Sequence, residues 1–381
     1  MKHKILRWSG PVLATALLAA ACAPAATPVA TEAPAAATEA PPAAMTPVKL
    51  QLQWFPQAQF GGYYAALAEG YYKAEGLDVT ILPGAVDIVP SQVLATGQAE
   101  FAVSWVPRGL KPREEGAAIV NIGQVFQRSG TLMVSWKDSN ITSVADFAGK
   151  KVGNWGFGNE FELLAAINAA GLTPGTDLEL VQQNFDMNAL LNREIDVAEA
   201  MTYNEYAQVL ESVNPDTGEL YKPEDLNVIS FNDVKTAMLQ DALWAREEWL
   251  ADAANQEIAV KFLRATYRGW IFCRDNVQAC VGHVLAAGTE LGESHQLWQM
   301  NEINKLIWPS PATGVGTMDP ALWAQTVDVA VSQKILNAAP TDGAYRTDLS
   351  EKALETLKAE GIDIVGANYQ PITVELKEGG K

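Results

Sequence analysis

The 381 residues carry 45 acidic against 27 basic side chains, a formal charge of −18, and a field of that sign repels nucleic acid and anionic lipid headgroups. Nucleic-acid partners and a basic membrane-binding patch are therefore excluded. Hydrophobic residues make up 48 % of the chain, and the more than three hundred residues beyond position 47 exceed one ordinary core, which predicts two lobes.

Lys2, Lys4 and Arg7 precede an apolar run over residues 11–21 that is too short to remain as a membrane span, so residues 1–21 read as a secretory signal. The string Leu18-Ala19-Ala20-Ala21-Cys22 resembles a bacterial lipoprotein box, which implies that Cys22 is lipidated and becomes the mature N-terminus. Ala19 stands where that box has a large aliphatic residue, so ordinary cleavage with release remains the alternative. Residues 23–47 are almost wholly Ala, Pro, Thr and Glu; with the lipidated cysteine, residues 22–47 form a tether. The expected location is the outer face of the cell membrane, held by acyl chains.

A helix, a glycine and an alternating strand recur three times: 64–75, Gly76 and 77–82; 163–170, Gly171 and 178–182; 349–360, Gly361 and 362–365. Glycine at a helix end takes the left-handed conformation that stops it. Further strands are predicted at 48–54, 101–105, 119–125, 132–136, 151–154, 195–201 and 227–231. Beyond 241 the pattern turns helical, with helices at 244–253, 258–273, 280–291 and 320–335. Strands alternating with helices give an α/β class with helix-covered sheets.

The strand at 132–136 runs into Ser139-Asn-Ile-Thr-Ser-Val-Ala-Asp146-Phe-Ala-Gly149-Lys-Lys-Val-Gly153, which resembles the start of the second lobe in type II periplasmic binding proteins. That resemblance implies two lobes, each a mixed sheet flanked by helices, joined by two crossover hinge strands. Lobe one takes 45–133 and 234–381, and lobe two takes 134–233.

Leu50-Gln-Leu-Gln-Trp54-Phe55-Pro56-Gln-Ala-Gln59-Phe60-Gly61-Gly62-Tyr63-Tyr64, the run from Ala68 to Val79, Trp155 to Glu160 and Tyr203-Asn204-Glu205-Tyr206 resemble the thiamine-pyrimidine-synthase-like family of solute-binding proteins. Membership implies a monomeric receptor of an ABC-type importer, without a catalytic step or cofactor, working with a permease and an ATPase on separate chains. Receptors of this family take thiamine pyrimidine precursors, alkanesulfonates, nitrate, bicarbonate or riboflavin.

Ligands of open α/β sheets sit at the carboxyl ends of strands, between lobes. The candidates there are Trp54, Gln59, Phe60 and Tyr63; Trp105; Gln127; Trp155, Phe157, Asn159 and Glu160; Tyr203 and Asn204; and Asp241. Aromatic rings flanked by amides suit a flat, nitrogen-rich heterocycle. An anion calls for clustered Arg or Lys, and this reading offers Arg128 and the amides of 156–158, opposed by Glu160. The Gln57-Ala58-Gln59-Phe60 segment departs from the Asn and His of pyrimidine receptors, and the whole string resembles the riboflavin-receptor branch. Riboflavin stands first, a formylaminopyrimidine-type precursor second and an alkanesulfonate third. A pyrimidine-synthase-like enzyme is last, since the chain lacks that enzyme's histidine and cysteine-rich motif. Trp54 and Trp105 have a core reading beside the ligand reading, and Glu205 and Asp241 have a capping or hinge-pairing one. Trp244, Trp249, Trp270 and Trp323 are assigned to helical core faces.

Cys273 and Cys280 are expected to pair in an oxidising compartment, and His3, His283 and His295 are too few for a zinc site.

Overall fold

The computed structural model describes residues 44–340 and 343–380. The expected signal segment, Cys22 and most of the expected tether lie outside the described residues. Among those described, no helix is long and apolar enough to cross a membrane.

Among the described residues, ten strands form two sheets: β1 Thr46–Gln51, β2 Leu77–Leu82, β3 Phe101–Trp105, β4 Ile119–Gln124, β5 Thr131–Trp136, β6 Lys151–Asn154, β7 Glu179–Gln182, β8 Val197–Met201, β9 Leu226–Ser230 and β10 Asp241–Arg246. The first sheet runs β2-β1-β3-β10-β4 and the second β7-β6-β8-β5-β9. In each, one strand is antiparallel to both neighbours: β10 between β3 and β4, and β5 between β8 and β9. The chain crosses between the sheets over 125–130 and returns over 231–240. The expected change of lobe at 133/134 therefore falls inside β5. Helices cover the sheets, and β3, β4, β5 and β8 are buried along their whole length, as two-sided coverage requires.

Two expectations are corrected, and one helix stands where none was expected. The helix expected at 244–253 begins instead as β10, and Trp244 lies in that strand, because a fully buried strand reads as an unbroken apolar run without a period. Residues 362–365 form no strand; they pack as a loop, with Val315 N donating to Ile364 O at 2.9 Å and Ser310 N to Val365 O at 2.9 Å. The helix Glu293–Ile307 is absent from the sequence reading because it buries His295, Gln296, Gln299, Asn301, Glu302 and Asn304, which erases its apolar stripe.

The helix Gly61–Ala68 lies against the long helix Ala253–Asp275 at a crossing where glycine is required. A Cβ on Gly62 would fall 2.2 Å from the Trp270 ring, and one on Gly269 would fall 2.0 Å from Gly62 O. Cys273 and Cys280 are joined by a disulfide, Cα to Cα 5.0 Å, which ties the end of that long helix to Val277–Ala287. A Cβ on Gly61 would stand 3.1 Å from Cys280 Sγ, so the segment leading out of β1 is seated directly on this bridge.

Candidate functional site

The carboxyl ends of β1, β3, β6, β7 and β8 converge on a solvent-open cleft of about 680 Å³ with its mouth included. Lobe one contributes Gln53, Trp54, Gln57, Gln59, Val86, Trp105 and Arg108; lobe two contributes Trp155, Phe157, Asn159, Phe185, Met201, Tyr203, Asn204 and Glu205.

Asp241, 1 % exposed, is the hub of the lobe-one wall. It opens β10 opposite Trp105, the last residue of β3. Its Oδ1 accepts from Gln53 Nε2 at 2.6 Å and Trp105 Nε1 at 2.8 Å, and its Oδ2 accepts from Gln59 Nε2 at 3.0 Å. Burial raises its pKa to about 7, opposed by those three donors and by the positive charge of Arg108. A carboxylate only accepts, so it fixes the direction of the amides around it. Gln59 turns Nε2 to Asp241 and accepts from Gln57 Nε2 at 2.7 Å, and Gln57 Oε1 accepts from Gln299 Nε2 at 3.4 Å. The buried glutamines of helix Glu293–Ile307 hold this turn from behind: Gln296 Oε1 accepts from Ala58 N at 2.7 Å and Gln299 Oε1 from Gln59 N at 3.1 Å.

On lobe two, Trp155 N donates to Glu199 Oε2 at 2.9 Å, and burial drives the Glu199 carboxyl well above its usual range. The Trp155 ring stacks on Phe185 with centroids 6.1 Å apart and planes at 20°, and Phe185 meets Trp54 of lobe one at 4.9 Å. Gly156, Phe157 and Gly158 have φ of 71°, 57° and 89°, three consecutive left-handed residues that hold the Phe157 ring out, 66 % exposed, beside the cleft. Asn159 Nδ2 donates to Gly156 O at 2.9 Å and Glu160 Oε2 accepts from Gly158 N at 2.9 Å, so both residues brace that loop. Asn204 Nδ2 donates to Glu205 Oε1 at 2.7 Å, and Glu205 Oε2 accepts from Met201 N at 3.0 Å. The Tyr203 hydroxyl is pushed well up by burial and by the nearby Asp241 and Glu205 carboxyls.

Eight of the residues singled out in the sequence line this cleft: Trp54, Gln59, Trp105, Trp155, Phe157, Asn159, Tyr203 and Asn204. The other five do not. Phe60 is fully buried in the lobe-one core, and Tyr63 packs edge-on against Trp270 at 5.5 Å, because both belong to the turn and helix behind the wall. Gln127 is spent on the crossover, donating to Gln124 O at 2.7 Å and Thr317 O at 3.0 Å. Glu160 braces its own loop, and Asp241 stands behind the wall it organises. Arg128 donates to the carbonyls of Lys305, Leu306, Trp308 and Pro309, away from the cleft. The cation in the cleft is Arg108, one turn beyond Trp105 on helix Val106–Glu114. Sequence reading also passed over Gln53, Gln57, Ala85, Val86, Phe185 and Met201 as lining residues, while Glu205, read as either ligand-binding or capping, lines the cleft and caps at once. The strand-end rule that found Trp155 applies equally to Phe185, which follows β7. His283 pairs with Glu69 at 2.7 Å, and His295 bridges Glu211 and Asn204, each at 2.9 Å. Among the described residues no group of three or more His, Cys, Asp or Glu is placed to hold a metal ion.

Residues 57–279 match the family described as NMT1/THI5 like. The riboflavin-binding protein RibY of Chloroflexus aurantiacus is 27 % identical over 336 residues, 84 % of this chain and 88 % of that protein. The formylaminopyrimidine-binding protein of Halalkalibacterium halodurans is 25 % identical over 235 residues, 61 % of this chain and 68 % of that protein. A 4-amino-5-hydroxymethyl-2-methylpyrimidine phosphate synthase of Legionella pneumophila is 25 % identical over 150 residues, 39 % of this chain and 46 % of that protein. Among solved structures, a putative periplasmic sulfonate-binding protein SsuA from Methylobacillus flagellatus superposes with a TM-score of 0.62 at 16 % identity, covering 87 % of this chain and 99 % of that one. The fold is thus that of the periplasmic binding proteins.

Proposed function

The chain belongs to the NMT1/THI5-like family, and from that premise we propose that it is the exported solute-binding component of an ABC-type importer, with riboflavin as its cargo. The observation that carries this reading is the aromatic set spanning both lobes, in which Trp54 reaches Phe185 and Phe185 stacks on Trp155. Such walls bury a flat ring system on its faces, while the amides of Gln53, Asn159 and Asn204 meet its polar edge. Likeness to a riboflavin-binding protein over most of both chains supports the same cargo. A formylaminopyrimidine-type ligand is the second reading, supported by the relative of that name. Catalysis is not part of this proposal, in keeping with relatives that are named as binding proteins.

In this reading the lobes turn about the segments 125–130 and 231–240. Those segments are cross-linked at both ends of the return, first by Asn232, which accepts from Ser129 N at 3.2 Å and donates to Ser129 O at 2.8 Å. Gln240 Oε1 accepts from Gly130 N at 2.8 Å, Gln240 Nε2 donates to Thr131 Oγ1 at 2.8 Å, and Glu162 accepts from Ser129 Oγ at 2.7 Å and from Met238 N. A ligand touching both lobes binds the closed arrangement better and shifts the population toward it, which is the form a permease recognises. Lipidation at Cys22 anchors the monomeric receptor by its tether, and intact mass of membrane-extracted protein tests that; an unmodified N-terminus well beyond Cys22 would sink the anchor.

The decisive experiment titrates riboflavin, formylaminopyrimidine and an alkanesulfonate into one preparation. Riboflavin binding with quenched flavin fluorescence is expected. Binding of the pyrimidine alone transfers the assignment to the second reading, and binding of the sulfonate alone overturns the aromatic argument.

A further inference from the structure

The cleft wall has a definite polarity. Because Asp241 draws N–H groups toward itself, Gln53 commits Nε2 to the carboxylate and its Oε1 is left buried without a partner. The other glutamines are satisfied differently, since Gln59 Oε1 and Gln57 Oε1 already accept from Gln57 and Gln299. Gln53 Oε1 is therefore the unspent amide acceptor of this wall.

Two donors stand unspent in the same cleft. The Trp155 indole Nε1 is buried with no partner. Arg108 is half-buried in the cleft, feels Asp241 and Glu160 electrostatically, and makes neither a hydrogen bond nor an ion pair with either. Burial lowers its affinity for its proton, opposed by the Asp241 and Glu160 carboxylates. Its stem lies under the lobe-two loop, for a Cβ on Gly158 would come 3.4 Å from Arg108 Cγ. Arg108, Gln53 and Trp155 thus line one cleft from both lobes, with Asp241 holding Gln53 from behind.

Two donors with one acceptor complement a ligand edge that is acceptor, donor, acceptor. We propose that the cleft reads an imide edge, C=O, N–H, C=O, on its heterocycle, with Arg108 and Trp155 Nε1 donating to the oxygens and Gln53 Oε1 accepting from the N–H. This rests on the heterocycle-receptor reading and adds the specificity residues. An aminopyrimidine edge offers one acceptor beside its amino group and leaves a donor unmatched; a sulfonate satisfies the donors but turns an oxygen anion toward Gln53 Oε1. Either mismatch leaves a buried polar group unpaired, which is costly.

The test measures binding of riboflavin, N3-methylriboflavin, 6,7-dimethyl-8-ribityllumazine and formylaminopyrimidine to the intact protein, and of riboflavin to Arg108→Met and Arg108→Lys. N3-methylation is expected to weaken binding by roughly tenfold or more, and Arg108→Met by a similar factor with partial recovery in Arg108→Lys. Thermal melting of the variants separates misfolding from lost recognition, and the N3-methyl ligand needs no variant. If N3-methylriboflavin binds the intact protein as tightly as riboflavin, the imide inference is wrong while the riboflavin reading survives. If the lumazine binds and riboflavin does not, the imide inference holds and the riboflavin reading fails. Binding of formylaminopyrimidine alone overturns both.

Discussion

The indole Nε1 of Trp105 meets Asp241 Oδ1 at 2.8 Å, joining the last residue of β3 to the first of β10 directly beneath the cleft. The two residues lie 136 positions apart, and the segment between them builds the whole of the second sheet. The return of the chain from lobe two thus supplies the acceptor that orients lobe one's cleft wall.

Asp241→Asn should therefore weaken ligand binding by about tenfold or more, because an amide cannot accept from Gln53, Gln59 and Trp105 together. Stability should change little, since the substitution also removes a buried carboxyl. Ligand titration and urea unfolding on the same variant check both halves. Unchanged affinity would show that the wall keeps its shape without the hub.

Asp241 and Glu162 both have pKa values raised by burial to about 7 in the folded protein, against ordinary values of 3.8 and 4.5. Between those limits the folded chain holds protons that the unfolded chain has released, so stability falls as pH rises toward 7. Each carboxyl contributes at most about 2 kcal/mol of difference between pH 5.5 and 7.5. Urea midpoints should be higher at pH 5.5, and Glu162→Gln should flatten the trend. A midpoint that rises from pH 5.5 to 7.5 in the unaltered protein, and equally in Glu162→Gln, would contradict the assignment.

Phe157 sits at φ 57°, where a bulky side chain is strained. Phe157→Gly should stabilise the protein by about 1 kcal/mol by removing that strain, yet weaken ligand binding by removing an aromatic face from the mouth of the cleft. Opposite signs in the two measurements are the signature of strain kept for function. Loss of both stability and affinity would mark Phe157 as packing.

The Cys273–Cys280 bridge closes a short loop, and its reduction is expected to cost about 2 to 3 kcal/mol in the chain-entropy view. Because Gly61 rests on the bridge, reduced protein should also bind ligand less tightly, through the segment 57–60 that precedes it. Unfolding curves and titrations with and without reductant measure the two effects. A reduced protein with unchanged stability would sink this account.

Helix-stopping glycines and strands with clear ends were legible in the sequence: Gly76, Gly171 and Gly361 all adopt positive φ, and β2, β3 and β6 occupy the expected residues. The strand-end rule brought out Trp54, Trp105, Trp155 and Tyr203 because each ends a strand or follows one within three residues. It misplaced Phe60 and Tyr63, since a turn after β1 carries them behind the wall, and nothing local in the sequence records that reversal. Arg108 and Arg128 are the sharpest pair. Both are basic residues just beyond a strand of lobe one, and only the packing decides that one guanidinium faces the cleft while the other caps the carbonyls at 305–309. The buried amides of helix Glu293–Ile307 were illegible for the converse reason: their polarity is satisfied by partners hundreds of residues away.

Trp54 and Trp270 separate ligand wall from core most sharply. Trp54 is only part-buried and touches Phe185 across the cleft, whereas Trp270 is fully buried and packs on Gly62 and Tyr63. Trp54→Ala should lower flavin affinity by roughly tenfold or more with little change in unfolding midpoint. Trp270→Ala should cost about 3 to 5 kcal/mol of stability, because the helices around Gly62 and Gly269 cannot close the space a ring leaves. At temperatures where the Trp270 variant remains folded its affinity should stay within a few-fold of the original. Flavin fluorescence titration paired with urea unfolding reads both quantities on each variant. If Trp54→Ala keeps full affinity and quenching, the ring lies elsewhere in the cleft and the contact between Trp54 and Phe185 is a seal between the lobes rather than part of the ligand site.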